Sequence, residues 1–231
     1  MRIILDFLTI TGRNAGLQSY AKELVRSLAM TDLEPEYILL VNSRAKAFFC
    51  LQEKNFKIVD VRTPKRFIGF WEQLYLPVIS LLYKADILHT PVSAPPLWAR
   101  CKKVVTLHDL TFKLQPQTMN WWDRLYWNFF FDKGLKGVNK IITDSWSTAR
   151  DITKYYCISR KKISIIPLCC ASQFHINACN QPPAKIIKKY GISGKYILFV
   201  GTLEPRKNLG TLLRAFRLVK SRSDYDLKLV I

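Results

Sequence analysis

Three places in this sequence set residue types at spacings that suit chemistry on an anionic ligand. The first is Gly201 to Asn208, GTLEPRKN, which follows the apolar run Tyr196–Val200 and carries Glu204, Arg206 and Lys207. From Asn208 onward Leu212, Leu213, Phe216 and Val219 recur at helical spacing, so the pattern is strand, loop, helix. A loop that opens a helix offers free backbone N–H groups and the positive end of the helix dipole, and two adjacent cations make it suit phosphate. The same pattern also suits an ordinary strand-to-helix turn with solvated cations.

The second place is Thr11 to Gly16, TGRNAG, between an apolar run and a helical pattern. Gly12 and Gly16 allow a sharp turn and a close approach of backbone to ligand, although the spacing matches neither GxGxxG nor the P-loop. The third is a pair of histidines, His89 and His108, the latter followed by Asp109. Each ends a short apolar strand, and in parallel α/β sheets the carboxyl ends of strands line the ligand crevice. A core or loop histidine satisfied by backbone hydrogen bonds is the competing account of each. His175, in a polar loop, gives no signal.

The elements that must position these residues read as an alternation of strands and helices. Strands are expected at Arg2–Leu8, Glu36–Val41, Phe56–Val61, Asp86–His89, Lys103–His108, Lys140–Thr143 and Lys162–Ile166. Helices are expected from about Leu17 to Met30, near Ala45–Gln52, over Phe67–Tyr83, within residues 119–138 and over Trp146–Tyr156, with Asp144-Ser145 as its cap. That alternation implies a parallel, doubly wound sheet of about seven strands. Residues 168–183, rich in Cys, Asn and Pro, read as an irregular join, after which a second strand–helix–strand unit begins. The sequence shows no internal repeat and no low-complexity segment.

Composition bounds the answer. With 231 residues and 49% apolar content, the chain can bury one substantial core and begin a second. Lys and Arg outnumber Asp and Glu by 36 to 17, a formal charge of +19, which favours nucleic acid, acidic headgroups or phosphorylated small molecules as partners. The six cysteines have no metal-site spacing and read as reduced thiols of a cytoplasmic protein. The start MRIILDFLTI reads as a first strand, not a signal peptide, because Asp6 interrupts it and no small-residue cleavage site follows. Phe67–Tyr83 contains Glu72, Gln73 and Pro77 and falls short of the roughly 20 residues that cross a bilayer. The same stretch, with Lys65 and Arg66 before it, suits either a buried helix or an interfacial one.

Taken together, these segments resemble the retaining GT-B glycosyltransferases of family four. The resemblance rests on their order: Gly16 with Tyr20 following; Trp71-Glu72-Gln73 with Leu76-Pro77; Asp86 to Pro91 as DILHTP; Val104 to Asp109 as VVTLHD; Thr143-Asp144-Ser145; Ile165-Ile166-Pro167; and GTLEPRKN. It implies a Rossmann-like acceptor-side domain over 1–170, a linker over 171–191, and over 192–231 the incomplete start of a domain that binds a nucleotide-diphosphate sugar. By the resemblance, Gly16, Arg206 and Lys207 face the donor phosphates, and His108 faces the donor sugar and positions it. His89, Asp109 and Glu204 would line the cleft. No cofactor or metal is expected, since the donor is a substrate and the leaving phosphate itself is thought to take the acceptor proton.

The chain also departs from the family pattern. Leu17-Gln18-Ser19 lacks a second glycine and an arginine, and Thr202 stands where an arginine is common. The family's paired glutamates would fall beyond residue 231. The resemblance therefore implies a truncated or split transferase, or an inactive remnant, acting on a glycan or lipid-linked acceptor. It would work in the cytoplasm, in peripheral contact with the membrane's inner face, and in the split case a partner chain would supply the missing half. The rival reading is a non-catalytic basic α/β module that binds nucleic acid or an anionic membrane. The basic clusters come without any nucleic-acid signature, so nucleic acid is not expected as a partner.

Overall fold

The computed structural model describes residues 1–11, 15–49, 51, 53–114, 117, 119, 121–171, 174, 183–203, 205–222 and 226–231, without the side chains of Ala15, Asp123, Pro183 and Arg206. Contacts divide the chain into two units, Met1–Cys169 and Cys170–Ile231.

The first unit holds strands β1 (Arg2–Phe7), β2 (Glu36–Asn42), β3 (Phe56–Val61), β4 (Ile87–Thr90), β5 (Lys102–Leu107), β6 (Lys140–Thr143) and β7 (Ile163–Ile165). They form one sheet in the order β3-β2-β1-β4-β5-β6-β7, and every neighbouring pair is parallel. Its helices are α1 (Ala15–Thr31), α2 (Ile68–Leu82), α3 (Thr111–Leu114), α4 (Trp121–Tyr126), α5 (Asp132–Lys136) and α6 (Trp146–Tyr156). This is the doubly wound, Rossmann-like α/β arrangement expected from the alternation of elements.

Strands covered on both faces must be apolar at successive positions, and here alternate residues serve different helices. Leu5 and Phe7 of β1, with Tyr37, Leu39 and Val41 of β2, pack against Ala21 and Val25 of α1. The intervening Ile4, Ile38 and Leu40 turn to the other face, where Leu76 and Ile79 of α2 cover them. A third cluster joins Val105, Leu107 and Ile141 to Phe131, Leu135, Ala149 and Ile152.

Three differences from the expected elements matter for the site. Strand β5 ends at Leu107, so His108 lies just past the strand. The helix expected within residues 119–138 is α4 and α5 joined by a π-helical turn at Trp127–Phe131. The inward residues of α2 are Glu72, Gln73, Leu76, Ile79 and Ser80, so its apolar Leu74, Val78, Leu81 and Leu82 are exposed.

The second unit contains α7 (Pro183–Lys189), β8 (Lys195–Leu198), α8 (Leu209–Ser221) and β9 (Leu227–Val230). Strands β8 and β9 are parallel, and α8 lies between them in sequence, which makes one βαβ unit. Helix α7 occupies part of the stretch read as linker; Pro183 suits a first helical position because its missing N–H has no intrahelical acceptor there. None of the described residues of this unit is fully buried.

Packing is tight where α5 meets the proline-rich loop. A Cβ added at Gly134 would stand 2.5 Å from the carbonyl oxygen of Pro95. Alanine normally gains about 1 kcal/mol over glycine in a helix, but overpacking against backbone costs roughly 1–3 kcal/mol. Gly134→Ala is therefore expected to destabilise the protein by up to about 2 kcal/mol in urea unfolding, the reverse of the propensity effect.

Candidate active site

The carboxyl ends of β4, β5 and β6 bring together residues far apart in sequence. His108 follows β5, and its Nδ1 lies 2.6 Å from Oδ2 of Asp144, which follows β6. Its Nε2 lies 3.1 Å from the carbonyl oxygen of Pro91, which follows β4. Both partners are acceptors, so the ring donates from whichever nitrogen carries its hydrogen. The backbone of His108 is held as well, because its carbonyl accepts from Thr148 Oγ1 at 3.1 Å.

Helix α1 supplies the next wall. Tyr20 meets His108 edge to face, with ring centroids 4.5 Å apart, and its hydroxyl lies 3.3 Å from Thr106 Oγ1. Burial pushes the Tyr20 phenol upward from its ordinary range, so it stays protonated. Gly16 lies in the first turn of α1, exposed, with open space where a Cβ would stand.

His89 has a different setting from His108. It is a buried residue of β4 whose Nε2 lies 2.9 Å from Thr106 Oγ1. Burial lowers its pKa from 6.5 to about 4, so the ring is neutral in the fold. Asp109 is exposed, and its Oδ1 accepts from the Thr111 N–H at 2.9 Å at the start of α3.

In the second unit, Lys207 is exposed and ends a 3₁₀ turn, Pro205–Lys207, immediately before Asn208 and α8. Arg206 lies in the same turn. Glu204 falls outside the described residues. Among the described residues, no group of three or more His, Cys, Asp or Glu side chains could hold a metal ion.

Sequence reasoning missed three members of this neighbourhood. Asp144 and Ser145 were read together as a helix cap, but they divide the work: Ser145 Oγ accepts from the Thr148 N–H at 3.1 Å and caps α6, which frees Asp144 for His108. The available signal was position, since Asp144 follows its strand as His108 does. Thr106 bridges His89 and Tyr20, a role that one residue type in a strand does not announce. Asp6, read only as a break in an apolar run, is fully buried, with Oδ2 accepting from Ser93 Oγ at 2.5 Å and Oδ1 from the Leu8 N–H at 3.1 Å. Burial raises its carboxyl to about 6.

This fold, with its polar groups gathered at the carboxyl ends of parallel strands, is that of the Rossmann-like domains of GT-B glycosyltransferases. The family model described as Glycosyltransferase Family 4 matches residues 15–170, and the chain belongs to that family. It is 29% identical over 247 residues to O-antigen chain mannosyltransferase B of Escherichia coli, covering 98% of this chain and 63% of that protein. In fold it is similar to a glycosyltransferase from Rickettsia africae, at TM-score 0.65 and 18% identity over 99% of this chain and 59% of that one. It is likewise similar to Anabaena HepE, solved with UDP and glucose, at TM-score 0.63 and 14% identity, over 99% of this chain and 60% of that one. The chain thus spans about three fifths of the length of these relatives.

The buried His89 makes a pH dependence that can be measured. Below pH 6.5 the unfolded chain takes up a proton that the folded ring accepts only near pH 4. The stability due to His89 is therefore complete above pH 6.5 and lost as the pH falls to about 4, by up to about 3 kcal/mol at roughly 1.36 kcal/mol per pH unit. Asp6 acts with the opposite sign: its folded carboxyl keeps a proton up to about pH 6, so stability is lost as the pH rises from 3.8 to about 6. His89→Gln retains a partner for Thr106 and does not titrate. Its stability relative to the parent is expected to rise steadily between pH 6.5 and 4 in denaturant unfolding.

Proposed function

We propose that this chain is the acceptor-side domain, with the beginning of the donor-side domain, of a retaining glycosyltransferase. It would move a sugar from a nucleotide-diphosphate donor to a glycan or lipid-linked acceptor. The observation that carries the reading is the convergence of His108 and Asp144 with Tyr20 of α1 at the carboxyl edge of the sheet in a family 4 chain.

The chemistry asks for groups of this kind. Transfer separates an oxocarbenium-like sugar carbon from a departing diphosphate, and fixed positive charge and N–H dipoles lower that barrier. In this reading the N-terminal turn of α1 at Gly16 and the cations Arg206 and Lys207 serve the phosphates. His108 positions the donor sugar. The acceptor partners already at both of its ring nitrogens support positioning over proton abstraction. His89 shapes the strand end through Thr106, while Asp109 lines the approach.

The second unit supplies part of the donor wall, and its exposed β8 and α8 leave that wall open. The 231-residue chain is accordingly expected to bind UDP- or GDP-sugars weakly in calorimetry and to release no nucleotide from them. Lys207→Ala is expected to reduce the residual affinity about tenfold, the size of one charge-assisted contact. Unaltered affinity in that variant would remove Lys207 from the donor site, and turnover by the chain alone would remove the requirement for a fuller donor domain.

A specific observation also supports contact with an anionic membrane. Leu74, Val78, Leu81 and Leu82 form an exposed apolar face on α2, beside the exposed Trp98. Val78, Leu81 and Trp98 line a groove of ≈ 590 Å³ together with Lys84 and Arg100. Apolar residues fringed by cations suit an acidic lipid surface, where such a protein would meet a lipid-linked acceptor. The sequence alone suggested this role for Phe70, Trp71, Leu74 and Tyr75 beside Lys65 and Arg66; the three aromatics are half-buried against the core, while Leu74 is exposed and shares its face with Val78, Leu81 and Leu82. The protein is expected to float with vesicles containing phosphatidylglycerol and not with pure phosphatidylcholine, and Leu81→Glu with Leu82→Glu is expected to abolish flotation. Equal recovery from both vesicle types would set the electrostatic part aside.

A further inference from the structure

Glu72 is an outlier among the buried polar groups of this protein. It lies in the middle of α2 at 0% exposure, and neither Oε1 nor Oε2 has a hydrogen-bond partner among the described residues. An unpaired buried carboxyl is costly, and Glu72 forms no ion pair among the described residues to offset that cost. Its neighbour along the helix, Gln73, faces inward too, but donates to Tyr126 Oη at 3.4 Å and accepts from the Leu97 N–H at 3.1 Å. Burial, with the nearby Asp6 as the smaller influence, raises the Glu72 carboxyl well above its ordinary range. A carboxyl in that state can both donate and accept.

The reason to keep such a group is visible beside it. Glu72 lines a cavity of ≈ 520 Å³ in the first unit, together with Ser93, Phe67, Trp122 and Tyr126. Lys65 and Arg66 also line it, are exposed, and form no ion pair among the described residues. Phe67 and Trp122 are exposed and meet edge to face at 5.3 Å. The backbone of Phe67 is left-handed, with φ 56°, a conformation that costs a side chain bearing a Cβ about 1 kcal/mol or more and recurs at ligand sites. The cavity thus has an unpaired hydrogen-bonding group, aromatic surfaces, and two cations. Aromatic faces against C–H surfaces, with a few fixed polar groups, suit a sugar ring.

We infer that this cavity holds a hexose ring of the acceptor, with Glu72 as the positioning residue that hydrogen-bonds its hydroxyls and Lys65 and Arg66 beside an anionic substituent on the same molecule. The inference rests on the glycosyltransferase reading for the word acceptor, but the sugar site itself lies wholly within the first unit and does not depend on donor turnover.

The test separates the two. Hexose 1-phosphates and the corresponding methyl hexosides of the manno, gluco and galacto series are titrated into the full chain. Binding is followed by saturation-transfer NMR and by the fluorescence of Trp122 and Trp127, both of which line the cavity. At least one hexose 1-phosphate is expected to bind, more tightly than its methyl hexoside. Glu72→Leu is expected to weaken that ligand about tenfold or more while raising the unfolding temperature, because the orphaned carboxyl is gone. Glu72→Gln, which keeps a donor and an acceptor, is expected to stay within about threefold of the parent. Trp122→Ala, at an exposed side chain, is expected to weaken binding with the fold retained.

Absence of binding to every probe overturns the inference, as does Glu72→Leu with lower stability and unchanged affinity, which would make Glu72 a structural group. Neither result bears on nucleotide-sugar binding, which is read in its own titration.

Discussion

A parallel sheet with helices on both faces leaves very little room for polar side chains. Its interior is apolar on either side, every backbone group between the strands is committed to the ladder, and only the strand ends are open to chemistry. In the first unit this constraint collects the polar residues into a belt along the carboxyl edge. Thr106 Oγ1 stands between His89 and Tyr20, Asp144 takes His108, and Asp6 takes Ser93. Each pairing joins residues from different strands or loops, so the belt exists only when the order β1-β4-β5-β6 is correct.

The proline-rich loop after β4 shows how firmly the belt is built. Prolines 91, 95 and 96 lack N–H groups, so this loop can be held mainly through its carbonyls. The Pro91 carbonyl faces His108 Nε2, and the buried Lys103 donates to the carbonyls of Pro96 and Leu97, at 3.2 Å each. Gln73 fixes the Leu97 N–H from α2, and the bare backbone of Gly134 lets α5 close on Pro95. One loop therefore sets the Pro91 partner of the histidine and, through Val92, Ser93 and Ala94, part of the wall of the neighbouring cavity. A change in the seating of that loop would be felt at both places, because packed interiors shift as units.

The second unit is the physical opposite. It has a two-stranded sheet, one βαβ crossover and no fully buried residue among those described. A two-stranded sheet crossed by one helix buries little apolar surface by itself. Its cations at Arg206 and Lys207 sit at the start of α8 in a context that carries little packing energy of its own.

Much of this was legible in the sequence, because local signals are decisive for local structure. The strand Phe56–Val61, the strand Lys140–Thr143 and the helix Trp146–Tyr156 follow directly from runs of β-formers, helical spacing and a Ser cap. The alternation of such segments fixed the doubly wound class, and the place of His108 at the end of an apolar strand marked it as a candidate site residue. The tertiary structure alone decided which partners those residues have. Asp144 was separated from its supposed capping role because a strand end 36 residues from His108 is adjacent to it in the sheet. Glu72 and Gln73 were turned inward although α2 carries enough leucine and valine to bury another face, because the helix is oriented by all the surfaces it touches. Spacing along a chain specifies which face a residue shares, and only packing decides whether that face meets water, a neighbour, or a cavity.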